Sequence, residues 1–513
     1  MKNQVLLDKA LALLPKLHET EVRVARTVIM NKEDDSIRIL PDEDYNKKLL
    51  KKGDKIILDF GNHQVGYISM KLNSVGFHAD APVWLKFHFA EQPVELFENG
   101  KDFEGWISSS WIEEEEIHVD VIPSKVKLSR RYAFRYLEIE VLAISNNYSL
   151  VVEDITCTAV SSADDRDLIP YDTTDENKKQ LDKIAIRTLH NCMQTVFEDG
   201  PKRDRRLWIG DLRIQALANY ETYKKNDLVK ACMYLFAALP KSDEQIGACV
   251  FLEPKPAVDD NVTDGQGTFF DYALFIVSIL YDYYRETDDR EALEDIWACA
   301  KKQIEIAARR VGEDGLIKGE DVFGWCFIDW NISLDKQASA QGVLMYVLNQ
   351  AIYLASEIGD SEIEEEYREL YDKLYTAANR YLWDEEECCY VSGKDRQISI
   401  ASQAWLVLGG AIEGIYAKKL LESIEFKENV QGMVSPYMYH HYVDALIQSD
   451  AKDLALEKMT EYWGDMLNQG ADTFFELYNP MNPNESPYGG TIVNSYCHAW
   501  SCGPTYFLRK YFN

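Results

Sequence analysis

Apolar residues change their spacing along this chain, and the changes mark out its architecture. Residues 1–17 place Leu6, Leu7, Leu11, Leu13 and Leu14 among polar neighbours at helical spacing, which predicts a short amphipathic lead-in helix. From about 20 to 165 the period falls to two. Strands are expected over Val22–Met30, Lys55–Asp59, Tyr67–Leu72, Val83–Phe89, Glu116–Val121, Phe134–Val141 and Leu150–Thr158. Turn residues separate them, as in Asp59-Phe60-Gly61-Asn62 and Asn99-Gly100-Lys101. Many short strands with such punctuation predict a β-sandwich over 18–170.

After Asp172-Thr173-Thr174 the period becomes helical. Twelve helices are expected, at about 175–197, 209–225, 227–238, 267–287, 290–311, 337–357, 361–382, 398–411, 415–424, 436–449, 452–468 and 494–511. Thr174 and Asp360 stand as N-caps. Tyr281, Tyr283 and Tyr284 among apolar neighbours suggest helices buried on more than one side. Twelve helices paired as six hairpins over 171–513 fit an (α/α)6 toroid, whose loops at one end make a funnel for a ligand. A TPR- or HEAT-like solenoid would show a repeat of 34 or 40 residues, and none is visible. The fold class is therefore multidomain β + α, an N-terminal β-sandwich followed by an (α/α)6 toroid. A length of 513 residues agrees with two or more domains.

Charge removes several functions. The balance of 55 Lys+Arg against 86 Asp+Glu, net −31, repels phosphate backbones and argues against nucleic-acid binding. Runs such as Glu113 to Glu116 and Glu364 to Glu366 read as solvated faces. The start reaches Asp8 and Lys9 before any long apolar stretch, so neither a signal-peptide core nor a membrane association is expected. Ten Cys are scattered without metal-ligand spacing, and the adjacent Cys388-Cys389 reads as two thiols. Those features predict a cytoplasmic, reduced protein with no cofactor and no metal. A homodimer is compatible with these features. Aromatics at 12%, with 30 Tyr and 11 Trp, suit sugar stacking or plain core packing.

The richest chemistry lies in residues 197–211, Phe-Glu-Asp-Gly-Pro-Lys-Arg-Asp-Arg-Arg-Leu-Trp-Ile-Gly-Asp. Gly200-Pro201 ends the preceding helix, leaving Glu198, Asp199, Asp204, Trp208 and Asp211 on or beside a loop between helices. They are either sugar-site acids or a capping loop neutralised by Arg203, Arg205 and Arg206. Glycoside hydrolysis needs a second carboxyl from another loop. Glu476, after two Phe and before a Pro/Asn-rich loop, is a candidate whose partial desolvation would raise its pKa; an ordinary loop-edge Glu is the alternative. Asp329 and Trp330 could hold a hydroxyl and stack on a sugar face, or be a capping Asp beside a core Trp. Asp271 opens an apolar helix, as a dipole-favoured charge or a hydroxyl ligand. His498 is expected at the start of the last helix, where a satisfied core His is the plainer reading. His440-His441 suits a helix face better than a metal site.

Together these segments resemble glycoside hydrolase family 78, the α-L-rhamnosidases and their relatives. That family's signature, Asp-Cys-Pro-x-Arg-(Asp)-Glu-x-x-Gly-Trp-x-Gly-Asp, has its frame followed by Asp199 to Asp211. The resemblance extends to Phe269-Phe-Asp-Tyr-Ala273, Phe327-Ile-Asp-Trp330, Thr473-Phe-Phe-Glu-Leu477 and Asn494 to Gly503. Upstream, Ile57 to Gly61, Gly66-Tyr67, Phe89-Ala-Glu91 and Arg135-Tyr136 resemble the sandwich preceding the family's helical domain. The resemblance implies an inverting exo-glycosidase acting on a small saccharide or glycoside. It implies Glu476 as general base and Asp204 as general acid. Asp199, Arg203, Trp208, Asp211, Asp271, Asp329, Trp330 and His498 would bind substrate. Two departures stand out. The acid is Asp where the family has Glu, either because Glu became Asp204 or because Glu is deleted and Asp204 matches its neighbour. The chain also reaches Asn513 soon after the last expected helix, without the C-terminal β-domain many members carry. Alternatives are another (α/α)6 glycosidase or uronide hydrolase, and a saccharide-binding relative without catalysis.

Overall fold

A computed structural model describes residues 2–31, 36–41, 44–258, 269–319 and 325–512. The expected helix start at 267 lies outside the described residues, as do residues 322–324 at the head of Val322-Phe-Gly-Trp-Cys-Phe-Ile-Asp-Trp-Asn331, the segment that carries Asp329 and Trp330.

One strand organises the β-domain. Lys55–Gly76 runs unbroken for 22 residues where two strands were expected. Its first part pairs with Arg26–Asn31 and Tyr132–Ala143, and its second with Tyr148–Ser161 and Ser124–Lys127. The register slips between Asp59 and Gln64, where Gly61 takes a φ of +85°, a left-handed conformation that favours glycine. The expected turn is thus a bulge, and it carries one strand from the first layer into the second. Val22–Met30 likewise divides: His18–Arg23 pairs with Tyr148–Ser161, and Arg26–Asn31 with Lys55–Gly76. Between the layers Leu58, Phe60, Ile68, Leu85, Phe87 and Phe134 form a closed apolar core.

The helical part holds twelve helices among the described residues from 176 to 511. Ile209–Glu221, Phe270–Thr287, Gln337–Ile358, Ile400–Leu408, Pro436–Gln448 and Gly503–Tyr511 contact one another in succession and close into a ring. The helices that alternate with them in sequence lie outside. Burial separates the two sets. Every residue of Ile209–Glu221 except Glu221 is buried, as an inner helix requires, whereas Ser361–Ala377 buries only Tyr367, Leu374 and Ala377.

Three details differ from expectation. Only Gly503–Tyr511 of the proposed 494–511 helix is α-helical. Upstream, His498 is extended, with φ −136° and ψ 126°, and its N–H donates to Phe474 O rather than along a helix. Secondly, the first of the twelve helices is capped by Asp175, not Thr174; Asp360 does stand at the N-cap of Ser361–Ala377, but its carboxylate goes to Trp297 Nε1 and Lys301. Thirdly, the lead-in helix Gln4–Leu13 packs Leu6, Leu7 and Ala10 into the toroid's core, and Asn3 N–H donates to Ala238 O at 2.9 Å.

Inner helices approach so closely that side chains are excluded. A Cβ at Gly342 would lie 2.4 Å from the Trp405 carbonyl carbon. Backbone cannot yield as a side-chain tip can. We expect Gly342→Ala to cost about 1–3 kcal/mol and to lower the urea midpoint of the helical signal in circular dichroism.

Candidate active site

The N-terminal ends of the inner helices face a cavity of about 1070 Å³. Asp199, Arg203, Asp204, Trp208, Asp211, Asp329, Trp330, Glu476 and His498 all line it, so nine of the ten expected site residues meet in one place. Asp271 is the exception.

The loop 199–206 is folded around Asp199. Its carboxylate accepts the N–H groups of Asp204 at 3.0 Å and Arg206 at 3.1 Å, while its own carbonyl accepts Ala499 N–H. This acid therefore shapes the loop and lines the cavity together. Burial pushes its pKa upward, and the neighbouring Asp204 adds to the effect. Asp211 follows Trp208 on the first turn of the first inner helix. Burial, then Asp199 and Glu476, raise its pKa far above the usual carboxylate range. Burial and Arg203 hold His498 far below the ordinary histidine value, so its ring is neutral. Its Nδ1 lies 3.4 Å from Asp211 Oδ1. Neither of these two atoms has a hydrogen-bond partner among the described residues.

Arg203 joins the two candidate catalytic carboxylates. One terminal nitrogen contacts Glu476 Oε2, the other stands 3.6 Å from Asp204 Oδ1, and Nε donates to Val493 O. The guanidinium lies 3.8 Å over the Tyr488 ring, whose hydroxyl donates to Glu476 Oε1. Glu476 is buried, which raises its pKa, while Arg203 and Tyr488 act to lower it. Asp204 keeps 22% of its side chain exposed and faces the cavity. The other two arginines have structural partners: Arg205 pairs with Glu113 of the β-domain and Arg206 stacks over Phe251.

Asp329 lines the cavity with its oxygens already engaged. Oδ2 accepts Val434 N–H and Oδ1 accepts Ser435 N–H, both at 2.9 Å, fixing the entry to the helix Pro436–Gln448. Burial raises its pKa to about 6. Trp330 meets Phe327 and Tyr488 edge to face. Asp271 departs from the substrate-binding expectation. It accepts the N–H groups of Phe327 and Ile328, each at 2.9 Å, and Ile328 has a φ of +57°. Its carboxylate holds the loop that presents Asp329 and Trp330. The sequence reasoning also passed over Tyr488, Trp500 and Trp106. Trp500 donates to Glu476 O, and Trp106, from the β-domain, donates to Pro487 O and borders the cavity. Tyr488 sits in Pro487-Tyr-Gly-Gly490, an aromatic between turn residues downstream of Glu476, and that context was its available signal. His440 and His441 are buried on a helix, with His441 beside Tyr437 O and Arg213.

A buried glutamate and a cavity-facing aspartate joined by one arginine, in the funnel of a helical toroid, define a six-hairpin glycosidase. Residues 31–159 match the glycosyl hydrolase family 78 alpha-rhamnosidase N-terminal domain, and 170–512 match the bacterial alpha-L-rhamnosidase 6 hairpin glycosidase domain. The chain belongs to glycoside hydrolase family 78. A rhamnosidase from Klebsiella oxytoca, solved with rhamnose bound, is 40% identical with a TM-score of 0.96, over 100% of this chain and 99% of its own. The family 78 rhamnosidase of Bacillus sp. GL1 shares the fold at 20% identity and a TM-score of 0.76, over 93% of this chain and 49% of its own. Among curated relatives, the N,N'-diacetylchitobiose phosphorylase of Vibrio furnissii is 20% identical over 292 residues, 48% of this chain. The chain spans only 35% of that enzyme's length.

The reassignment of Asp271 has a direct check. Asp271→Ala strands two buried N–H groups, so the melting temperature should fall by the equivalent of about 1.5–3 kcal/mol or more. A hydroxyl ligand would instead raise KM and leave melting unchanged.

Proposed function

We propose that this protein is an α-L-rhamnosidase that removes a terminal sugar from small glycosides with inversion at the anomeric carbon. The carrying observation is that Arg203 touches both Glu476 and Asp204 across the cavity floor. Two carboxylates on opposite sides of one guanidinium suit an inverting pair, whose carboxyl groups stand roughly 6.5–9.5 Å apart to admit a water. Family membership supports this reading, as does the rhamnose-bound relative that matches from end to end.

Asp204 then gives its proton to the glycosidic oxygen as the C1–O bond breaks. Glu476 takes a proton from water, whose oxygen forms the new bond to C1 from the opposite face. A general base must be ionised, and Arg203 and Tyr488 favour that form against the cost of burial. Asp199 and Asp211, whose pKa values burial raises, and neutral His498 offer hydroxyl-binding groups. The unpartnered Asp211 Oδ1 and His498 Nδ1 suit one sugar hydroxyl between them. Trp208, Trp330 and Trp500 supply apolar faces for the ring and the 6-methyl group of a deoxyhexose. Cytoplasmic action on imported glycosides is our reading of a chain whose ten cysteines are all free thiols.

With an aryl α-L-rhamnoside, Asp204→Asn and Glu476→Gln should each lower kcat by about 10²–10⁴-fold. Proton NMR of the first product should show the β-anomer. A near-wild-type rate in either variant removes that residue from the chemistry, and an α-product removes inversion. Tyr488→Phe deletes a hydrogen bond that favours the carboxylate, so the Glu476 pKa should rise. The acidic limb of kcat/KM should then move up by about one pH unit.

A further inference from the structure

We infer that Glu95 and Lys202, which lie outside the cavity, are positioning residues that set Glu476 against Asp204, making the β-domain a working part of the active site. The inference rests on the acid and base roles given above.

Lys202 is 2% exposed, two residues before Asp204. Its ammonium contacts the Glu95 carboxylate and donates to Ile492 O at 3.1 Å and Asn494 O at 3.0 Å. Arg203 takes the carbonyl between them, Val493 O, at 3.0 Å. Two consecutive side chains of the acid-bearing loop thus grip three consecutive carbonyls. The β-domain grips the same segment by its N–H groups: Tyr496 donates to Glu91 at 2.7 Å, and Ile492 to Glu98 at 3.3 Å. The held segment then fixes the base, because Ser495 O accepts the Glu476 N–H at 3.0 Å.

Glu95 is itself anchored at the turn Pro93–Leu96, where its carboxylate accepts the N–H groups of Glu91 and Gln92. A buried ion pair is a weak source of stability, since desolvation offsets most of the attraction. What this pair does supply is a fixed distance. It locks loop 200–206, which carries Asp204, to segment 492–496, which holds the Glu476 backbone.

The test uses the full-length chain with Glu95→Gln, Lys202→Met and the double variant, assayed on an aryl α-L-rhamnoside across pH. In the folded variants kcat should drop about 10²-fold while KM stays within about twofold. The acidic limb should shift to higher pH, because a loosened Val493 releases Arg203 from Glu476. Each single change leaves a buried charge unpaired and can unfold the chain. The double variant removes both charges, and its loss should be no larger than that of a folded single variant. A folded Glu95→Gln or double variant with kcat within about threefold of wild type would overturn the inference. An unshifted acidic limb would overturn it equally, since lost activity alone would report general loosening. If Asp204→Asn and Glu476→Gln also keep full rates, the acid–base reading has failed. If those two are inactive while Glu95→Gln is normal, only the positioning role falls.

Discussion

The buried guanidinium of Arg203 is the constraint on which the site depends. A cation taken out of water must find acceptors on every side, and here they are its own neighbour Asp204 and three groups far along the chain: Glu476, the Tyr488 ring and the Val493 carbonyl. Satisfying one side chain therefore assembles the catalytic pair. It also sets their electrostatics. Burial pushes the Glu476 pKa upward, and the arginine opposes that rise and favours the carboxylate form. Arginine suits this task better than lysine, because its planar fork addresses two carboxylates and stacks on an aromatic ring at once.

Around that centre the two domains share one network of buried charge. Arg131 of the sandwich reaches Glu198 with two bonds, at 2.9 and 2.7 Å, and Arg205 returns the contact to Glu113. His63 bridges Glu91 and Asn191, with its backbone N–H on Asp472. Burial lowers its pKa to about 4, so the ring is neutral and donates from Nε2 to Glu91. Such networks are expensive when half satisfied, and this one is closed by pieces from both domains. Sandwich and toroid are for this reason one electrostatic body.

Much of this was legible in the chain. The switch from period two to period 3.6 near residue 172 separates the strands from the helices, because burial on one sheet face and one helix stripe leaves different spacings. The acids of 199–211 and Glu476 were legible through their aromatic and arginine neighbours. Other features left no local mark. Gly61 reads as a turn because a left-handed glycine serves a bulge and a hairpin alike. The segment before Gly503 has the apolar content of a helix, yet its backbone groups are taken by Phe474, Asp199 and Glu91. Asp271 was found as a buried acid, but whether such a group faces a ligand or a neighbouring loop depends on what lies across space. Lys202 and Glu95 are 107 positions apart and ordinary in composition, so no spacing announces their pairing.

The docking of Gln4–Leu13 on the helical domain means that the sandwich is threaded between two parts of a single packed unit. The helix leaves the ribosome before the surface it covers, Asn226–Ala238, which emerges roughly 200 residues later, on the order of 10–40 s at ordinary rates of synthesis. Ten residues do not hold a helix alone in water. The sandwich can fold during this interval, whereas the Gln4–Leu13 segment stays with its leucines uncovered. Its attachment is therefore among the later events in the birth of the molecule, and a nascent chain stalled within the toroid would carry a finished β-domain beside an unclaimed greasy segment.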